Sequence, residues 1–166
     1  MRKNTTSIKW LWLSLVLIIL DQITKFLAVH YLIFNQPVAL LPFLNLTLER
    51  NPGAAFSFLA QEGNWQGWLF GITAILVCIF IVRWLYKTPA GKVWLPIALS
   101  LIIGGAIGNV ADRIMHGYVI DFLDFYINNW HWPIFNLADS AICIGAAMLI
   151  IDFLRHPSTK ATPNIH

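Results

Sequence analysis

Long uncharged stretches alternate with short polar ones along this chain: Trp10 to Leu20, Trp65 to Val82, Val93 to Ala111 and Ser140 to Ile151 contain no Asp, Glu, Lys or Arg. A helix crossing a hydrocarbon core of about 30 Å needs roughly 20 residues at 1.5 Å each, so the pattern predicts spans at about 10–30, 65–86, 93–112 and 137–154. Backbone groups in lipid must bond within their own segment, and these runs lack the alternation of barrel strands, so helices are expected. The first and last spans must hold charges within them. Between spans, Leu44 to Leu48 alternates like a strand and ends at the turn signal Asn51-Pro52-Gly53. Ala54 to Leu59 is expected to pair with that strand or to lie on the membrane surface. The second outer segment, His116 to Phe135, interleaves Phe122, Phe125, Tyr126, Trp130, Trp132 and Phe135 with Asp121 and Asp124, as segments at the aromatic belt do. The fold class expected is an all-α membrane protein: four transmembrane helices with a small extracytoplasmic β platform and an interfacial helix.

Composition agrees with this picture and narrows it. Of 166 residues, 58% are hydrophobic, only 11% are charged and eight are Trp; this is not a water-soluble composition. One integral membrane domain over residues 1–166 is expected, with a disordered tail at 156–166. The first span is read as retained rather than cleaved, because no small-residue cleavage site follows and the helix continues through Asp21 and Lys25.

Charge sets the orientation. Arg2, Lys3, Lys9, Arg83, Lys87, Lys92, Arg155 and Lys160 fall on one side, against Lys25, Arg50 and Arg113 on the other. By the positive-inside rule the first side is cytoplasmic, and so are both termini. This asymmetry accounts for the net charge of +3 and needs no nucleic-acid partner. Cys78 and Cys143 sit mid-span, where thiols behave as small hydrophobes. No HExxH, CxxC or P-loop motif is present, so no metal or other cofactor is expected.

The acids carry the chemistry. Asp21, Glu49, Glu62, Asp112, Asp121, Asp124 and Asp139 are expected at or beyond the outer span ends, leaving only Asp152 inside. Charged groups in lipid are costly, about 2.5–3.5 kcal/mol for Asp at a helix centre, so they usually line cavities and serve function. Asp21 and Lys25 have the i, i+4 spacing of a neutralising ion pair, expected at the outer end of span one. Asn109, Asp112 and Arg113 share one helix face, where Asp112 and Arg113 can bond each other or nearby backbone. Gly104, Gly105 and Gly108 form a GxxxG face for close helix approach. Asn136 and Asp139 suit an ordinary helix cap. Set against that bland role is a second acid near the same surface. Two aspartates brought close cannot both ionise, and a pair sharing one proton can activate water and protonate an amide carbonyl without a metal or covalent intermediate. Spacing alone leaves open whether Asp139 pairs with Asp121 or with Asp124. His116 and His131 read as surface or turn residues.

Five blocks, in order, resemble the lipoprotein signal peptidase (signal peptidase II) family over essentially the whole chain: Asp21-Gln22-Ile23-Thr24-Lys25, Asn51-Pro52-Gly53-Ala54-Ala55-Phe56-Ser57, Gly104 to Arg113, Val119-Ile120-Asp121-Phe122 and Phe135 to Ser140. The resemblance implies an aspartic endopeptidase of the bacterial inner membrane with Asp121 and Asp139 as the catalytic pair. Asp21, Lys25, Asn51, Asn109, Asp112, Arg113, Asn136 and Ala138 would shape the site. It implies a prolipoprotein substrate carrying diacylglycerol on a cysteine, cut just before that cysteine at the outer leaflet. Membrane lipids and globomycin-type cyclic peptides are the other partners it implies. Three readings compete. A proton-coupled transporter would need acids across the membrane rather than at one face. A non-catalytic scaffold would use the same acids only as caps. A presenilin-type protease would carry a Gly-x-Gly-Asp block, which Gly108-Asn109 is not.

Overall fold

The structure, a computed structural model, describes residues 6–53 and 65–155. A short 3-10 turn, Ser7–Trp10, leads into α1 (Leu11–Tyr31); β1 (Val38–Leu41) and β2 (Leu44–Asn51) follow, then α2 (Trp65–Lys87) and α3 (Trp94–His116), then β3 (Val119–Ile127), β4 (Trp130–His131) and α4 (Leu137–Arg155). Among the described residues, four helices are long and apolar enough to cross a membrane. The strands form one antiparallel sheet in the order β1-β2-β3-β4. Expected Ala54–Leu59 pairing, the block residues Ala54 to Ser57, Glu62 and the tail lie outside the described residues. The second outer segment is mostly strand. Its aromatics satisfy their backbone in a ladder, and among the described residues no interfacial helix accompanies the platform.

α3 is the central helix and packs on each of the other three. Small residues allow this. A Cβ on Gly104 would stand 2.8 Å from Leu17 of α1, one on Gly108 would stand 2.5 Å from the Asp21 carboxylate, and one on Gly105 would collide with the Ala138 carbonyl of α4. The glycines thus serve two partner helices rather than one. Leu85, Leu99, Ile81 and Ile103 close the α2–α3 contact, and the Ser14 hydroxyl donates to the Ser100 carbonyl at 2.7 Å. By contrast α1, α2 and α4 expose residues such as Phe26, Phe80 and Phe153 outward, as lipid-facing helices do.

α3 continues four residues beyond its expected end and stops where Gly117 turns left-handed at φ 81°, its N–H bonding the Arg113 carbonyl. At the other end of the bundle, the Ser7 N–H bonds the Thr88 carbonyl at 3.0 Å, and the Arg155 guanidinium lies over the Trp94 ring. The N-terminal turn, the α2–α3 connection and the end of α4 therefore gather at one end, and the sheet stands at the other. The last turns of α1 pack onto the sheet, where Ala28 meets Leu48, Ile120 and Phe122.

Candidate active site

The expectation for Asp21 and Lys25 needs correction. Both lie well inside α1, ten and six residues before its end at Tyr31, or about 15 and 9 Å along the helix axis. α1 runs past the site to reach the sheet, which its apolar last turns help to bury. Both side chains are buried, so their charges must be met by protein groups. The Lys25 ammonium has three donors, and three acceptors meet them: Asp21 Oδ2 at 2.8 Å, Asp112 Oδ2 at 2.9 Å and Asn109 Oδ1 at 2.9 Å.

The two carboxylates of this triad also hold backbone. Asp21 Oδ1 accepts the Ala138 N–H at the first turn of α4, at 3.0 Å, and Asp112 Oδ2 accepts the Ile120 N–H of β3, also at 3.0 Å. One buried ion cluster therefore fixes the helix that carries Asp139 and the strand that carries Asp121. Asp112 partners Lys25, and Arg113 instead donates to the Asn109 carbonyl at 3.1 Å. Gln22, which carries no charge to mark it in the sequence, also joins the cluster: its amide donates to Asp112 Oδ1 at 2.9 Å and to the Gly108 carbonyl at 3.2 Å. Its place beside Asp21 in the first block was the available signal.

Asn136 joins the two candidate acids. Its Nδ2 donates to Asp121 Oδ1 at 2.7 Å, while its backbone N–H donates to Asp139 Oδ2 at 3.3 Å and its Oδ1 accepts the Asp139 N–H at 2.9 Å. The last two bonds form a reciprocal cap at the start of α4. The capping role is real and compatible with chemistry, because Asp139 keeps its other oxygen, which accepts from Asn109 Nδ2 at 2.7 Å. Asp121 is 1% exposed. Burial pushes its carboxyl up to about 7; the Asp139 charge pushes the same way, and bonds from Asn51 and Asn136 and the Lys25 charge pull against them.

Asp124 is directed elsewhere. Side chains alternate faces along a strand, so Asp121 and Asp124, three apart on β3, point to opposite sides. A bulge in β2 serves both: Leu46 pairs with Leu123 and Glu49 with Asp121, so Thr47 and Leu48 stand opposite Phe122 alone. Without the extra residue, Asn45, Thr47 and Asn51 would share one face. With it, Asn45 and Thr47 donate to Asp124 at 3.2 Å each, and Asn51 donates to Asp121 at 3.0 Å. His131 completes the Asp124 cluster with a 2.7 Å pair through Nδ1, a partner its isolated position in the sequence did not disclose. Burial would raise the Asp124 carboxyl, but the His131, Asn45 and Thr47 bonds outweigh it and hold it below the ordinary range.

Asp21, Lys25, Asn51, Asn109, Asp112, Asp121, Asn136, Ala138 and Asp139 thus form one continuous polar network, with Arg113 at its edge. Among the described residues the buried Arg113 Nε has no hydrogen-bond partner. The Arg113 guanidinium lies 5.9 Å from the Phe70 ring centre and borders a groove of about 360 Å³ between α2 and α3, lined also by Gly67, Gly71, Ile75 and Met115. No group of three His, Cys, Asp or Glu among the described residues is arranged to hold a metal ion. Such a site offers a water molecule two carboxylates of unlike environment, Asp121 buried and Asp139 partly exposed, while Asp152 stands apart from it in the last turn of α4.

A family model described as signal peptidase (SPase) II matches residues 13–155. Lipoprotein signal peptidases of Alteromonas mediterranea and Coxiella burnetii are 50% and 49% identical, each over 96% of this chain and over 87% and 98% of their own lengths. The Salmonella newport enzyme is 48% identical over 94% of this chain and 95% of its own. A solved structure described as a bacterial membrane enzyme, determined at 1.9 Å by the in meso method, superposes with a TM-score of 0.79 at 33% identity, covering 89% of this chain and 93% of that one.

Proposed function

From the premise that the chain belongs to the signal peptidase II family, a multi-pass hydrolase of the bacterial inner membrane that removes signal peptides from prolipoproteins, we propose an aspartic mechanism with Asp121 and Asp139 as the acting pair. The observation that carries it is the bridge through Asn136, which holds two acids of unlike surroundings at the end of a buried polar network. Asp121, with a pKa of about 7, is the protonated member and donates to the oxygen of the scissile carbonyl. Asp139 is the ionised member and takes a proton from the attacking water. Collapse of the resulting diol breaks the C–N bond as the nitrogen receives a proton from the pair. Arg113 Nε, which has no hydrogen-bond partner among the described residues, donates to a substrate carbonyl, and the remaining network residues hold the pair in place.

The substrate on this reading bears diacylglycerol on the cysteine after the scissile bond, and its signal helix enters laterally along the α2–α3 groove. Both termini face the cytoplasm on this reading, since among the described residues Lys9, Arg83, Lys87, Lys92 and Arg155 lie at the end opposite the sheet; the pair therefore works at the outer leaflet, among membrane lipids. Globomycin-type peptides compete for the same cavity. The proton-coupled transporter reading finds no support.

The test is cleavage of a diacylglyceryl-modified precursor peptide in detergent by wild type, Asp121→Asn, Asp139→Asn and Asp124→Asn, with the unlipidated peptide as control. General acid and base contributions of about 10²–10⁴ predict losses of that order in the first two variants alone. Full activity in either Asp121→Asn or Asp139→Asn refutes the pair, and a dead Asp124→Asn points to the wrong partner.

A further inference from the structure

The same face of β3 that carries Asp121 leads into an apolar bowl that the mechanism does not use. Side chains on one face recur every second residue, so Asp121, Leu123, Phe125 and Ile127 share a face. β4 continues that face, because Ile127 pairs with Trp130 and Trp132 donates its N–H to the Phe125 carbonyl. The returning chain closes one side: Phe135 bridges to Leu123 and stacks on Phe125 at 5.7 Å, which in turn stacks on Phe43 at 6.1 Å. Together these side chains line a cavity of about 450 Å³ with no charged residue in its wall, within the range of small-ligand pockets.

Resting on the function proposed above, we propose that this bowl receives an acyl chain of the diacylglyceryl group on the substrate cysteine. The reach agrees. From the scissile carbonyl through the cysteine thioether and glycerol to the first acyl carbon is a path of about eight bonds, as long as two to three extended residues, or roughly 8–10 Å. Phe135 directly precedes Asn136, whose amide is 2.7 Å from Asp121, and Phe125 lies four residues from Asp121, about 13 Å along the strand. A lipid tethered at the scissile bond therefore arrives at the near wall of the bowl without leaving the face it started on. A patch serving only to rest the platform on the bilayer would need neither concavity nor continuity with the acid.

The experiment compares two precursor peptides identical except for acyl length, dipalmitoyl and dibutyryl, in mixed micelles with the full-length protein. Wild type is set beside Trp130→Ser, on β4, and Ile127→Ser, which is 69% exposed and outside the Phe43–Phe125–Phe135 stack. The expected result is a KM for the dipalmitoyl peptide raised about ten-fold with kcat retained, the equivalent of losing burial of about two methylenes, while the dibutyryl peptide is cleaved as by wild type. Equal slowing of both peptides by Ile127→Ser, or no change with either variant, overturns the acyl site and leaves only bilayer anchoring. A wild type that cleaves neither lipidated peptide refutes the peptidase reading itself.

Discussion

Replacing Asn51 with Leu removes the 3.0 Å bond from its amide to Asp121 while keeping the side-chain volume similar. The donor favours the charged carboxylate, so its loss favours the protonated acid, and burial and the Asp139 charge, which already hold Asp121 at about 7, then act with less opposition. A hydrogen bond to a charged group contributes about 1.5–3 kcal/mol, and 1.36 kcal/mol corresponds to one pH unit, so the alkaline limb of the kcat/KM profile is expected to rise by about 1–2 pH units. The sign follows from the role: if protonated Asp121 donates to the carbonyl oxygen, the rate is full below its pKa and falls above it. Linkage runs in the same sense. With a folded pKa raised from about 3.9, stability is full below the unfolded value and is lost as pH rises through the folded one, and in Asn51→Leu that loss extends to higher pH. Initial rates on the lipidated peptide between pH 5 and 10, with a thermal unfolding scan in detergent at each pH, measure both. An alkaline limb that stays put or moves down in a folded variant refutes Asp121 as the proton donor.

Two further outcomes are expected. Lys25→Met leaves Asp21 and Asp112 buried without their shared cation and is expected to destabilise by about 3–5 kcal/mol; adding Asp112→Asn recovers part of that loss, and detergent unfolding curves that show no such recovery contradict the triad. Asp124→Asn is expected to leave cleavage near wild type while weakening its cluster with Asn45, Thr47 and His131 by about 1–3 kcal/mol. Because the Asp124 pKa is held low in the folded protein, the stability it contributes is present above the unfolded pKa and lost as pH falls through the folded one. Unfolding scans from pH 3 to 7 check this, and an acid-side slope that the variant leaves unchanged contradicts it.

Much of the architecture is legible in the chain alone because transfer into lipid imposes a composition. Uncharged runs such as Val93 to Ala111 have no other stable placement than a span, and the alternation at Leu44 to Leu48 marks β2. The residue types of the network could also be read off, since Asp, Lys and Asn in or beside such runs are costly to leave unpaired and must meet partners. What the chain alone left open was which acids meet. Asp121 and Asp124 are equally acidic neighbours in one aromatic segment, and only the pleat of β3, with its two alternating faces, separates them. The bulge at Thr47–Leu48, which sends Asn45 to one acid and Asn51 to the other, is a property of pairing between strands some 70 residues apart. Depth was likewise a tertiary matter: Asp21 and Lys25 stand well inside α1 because that helix continues to the sheet and buries Ala28 against it. Hydrophobic pattern therefore determined which segments suit a membrane span, and long-range hydrogen bonding decided which carboxylates share the Asn136 bridge, since charge and spacing along one chain carry no information about a partner brought in from another element.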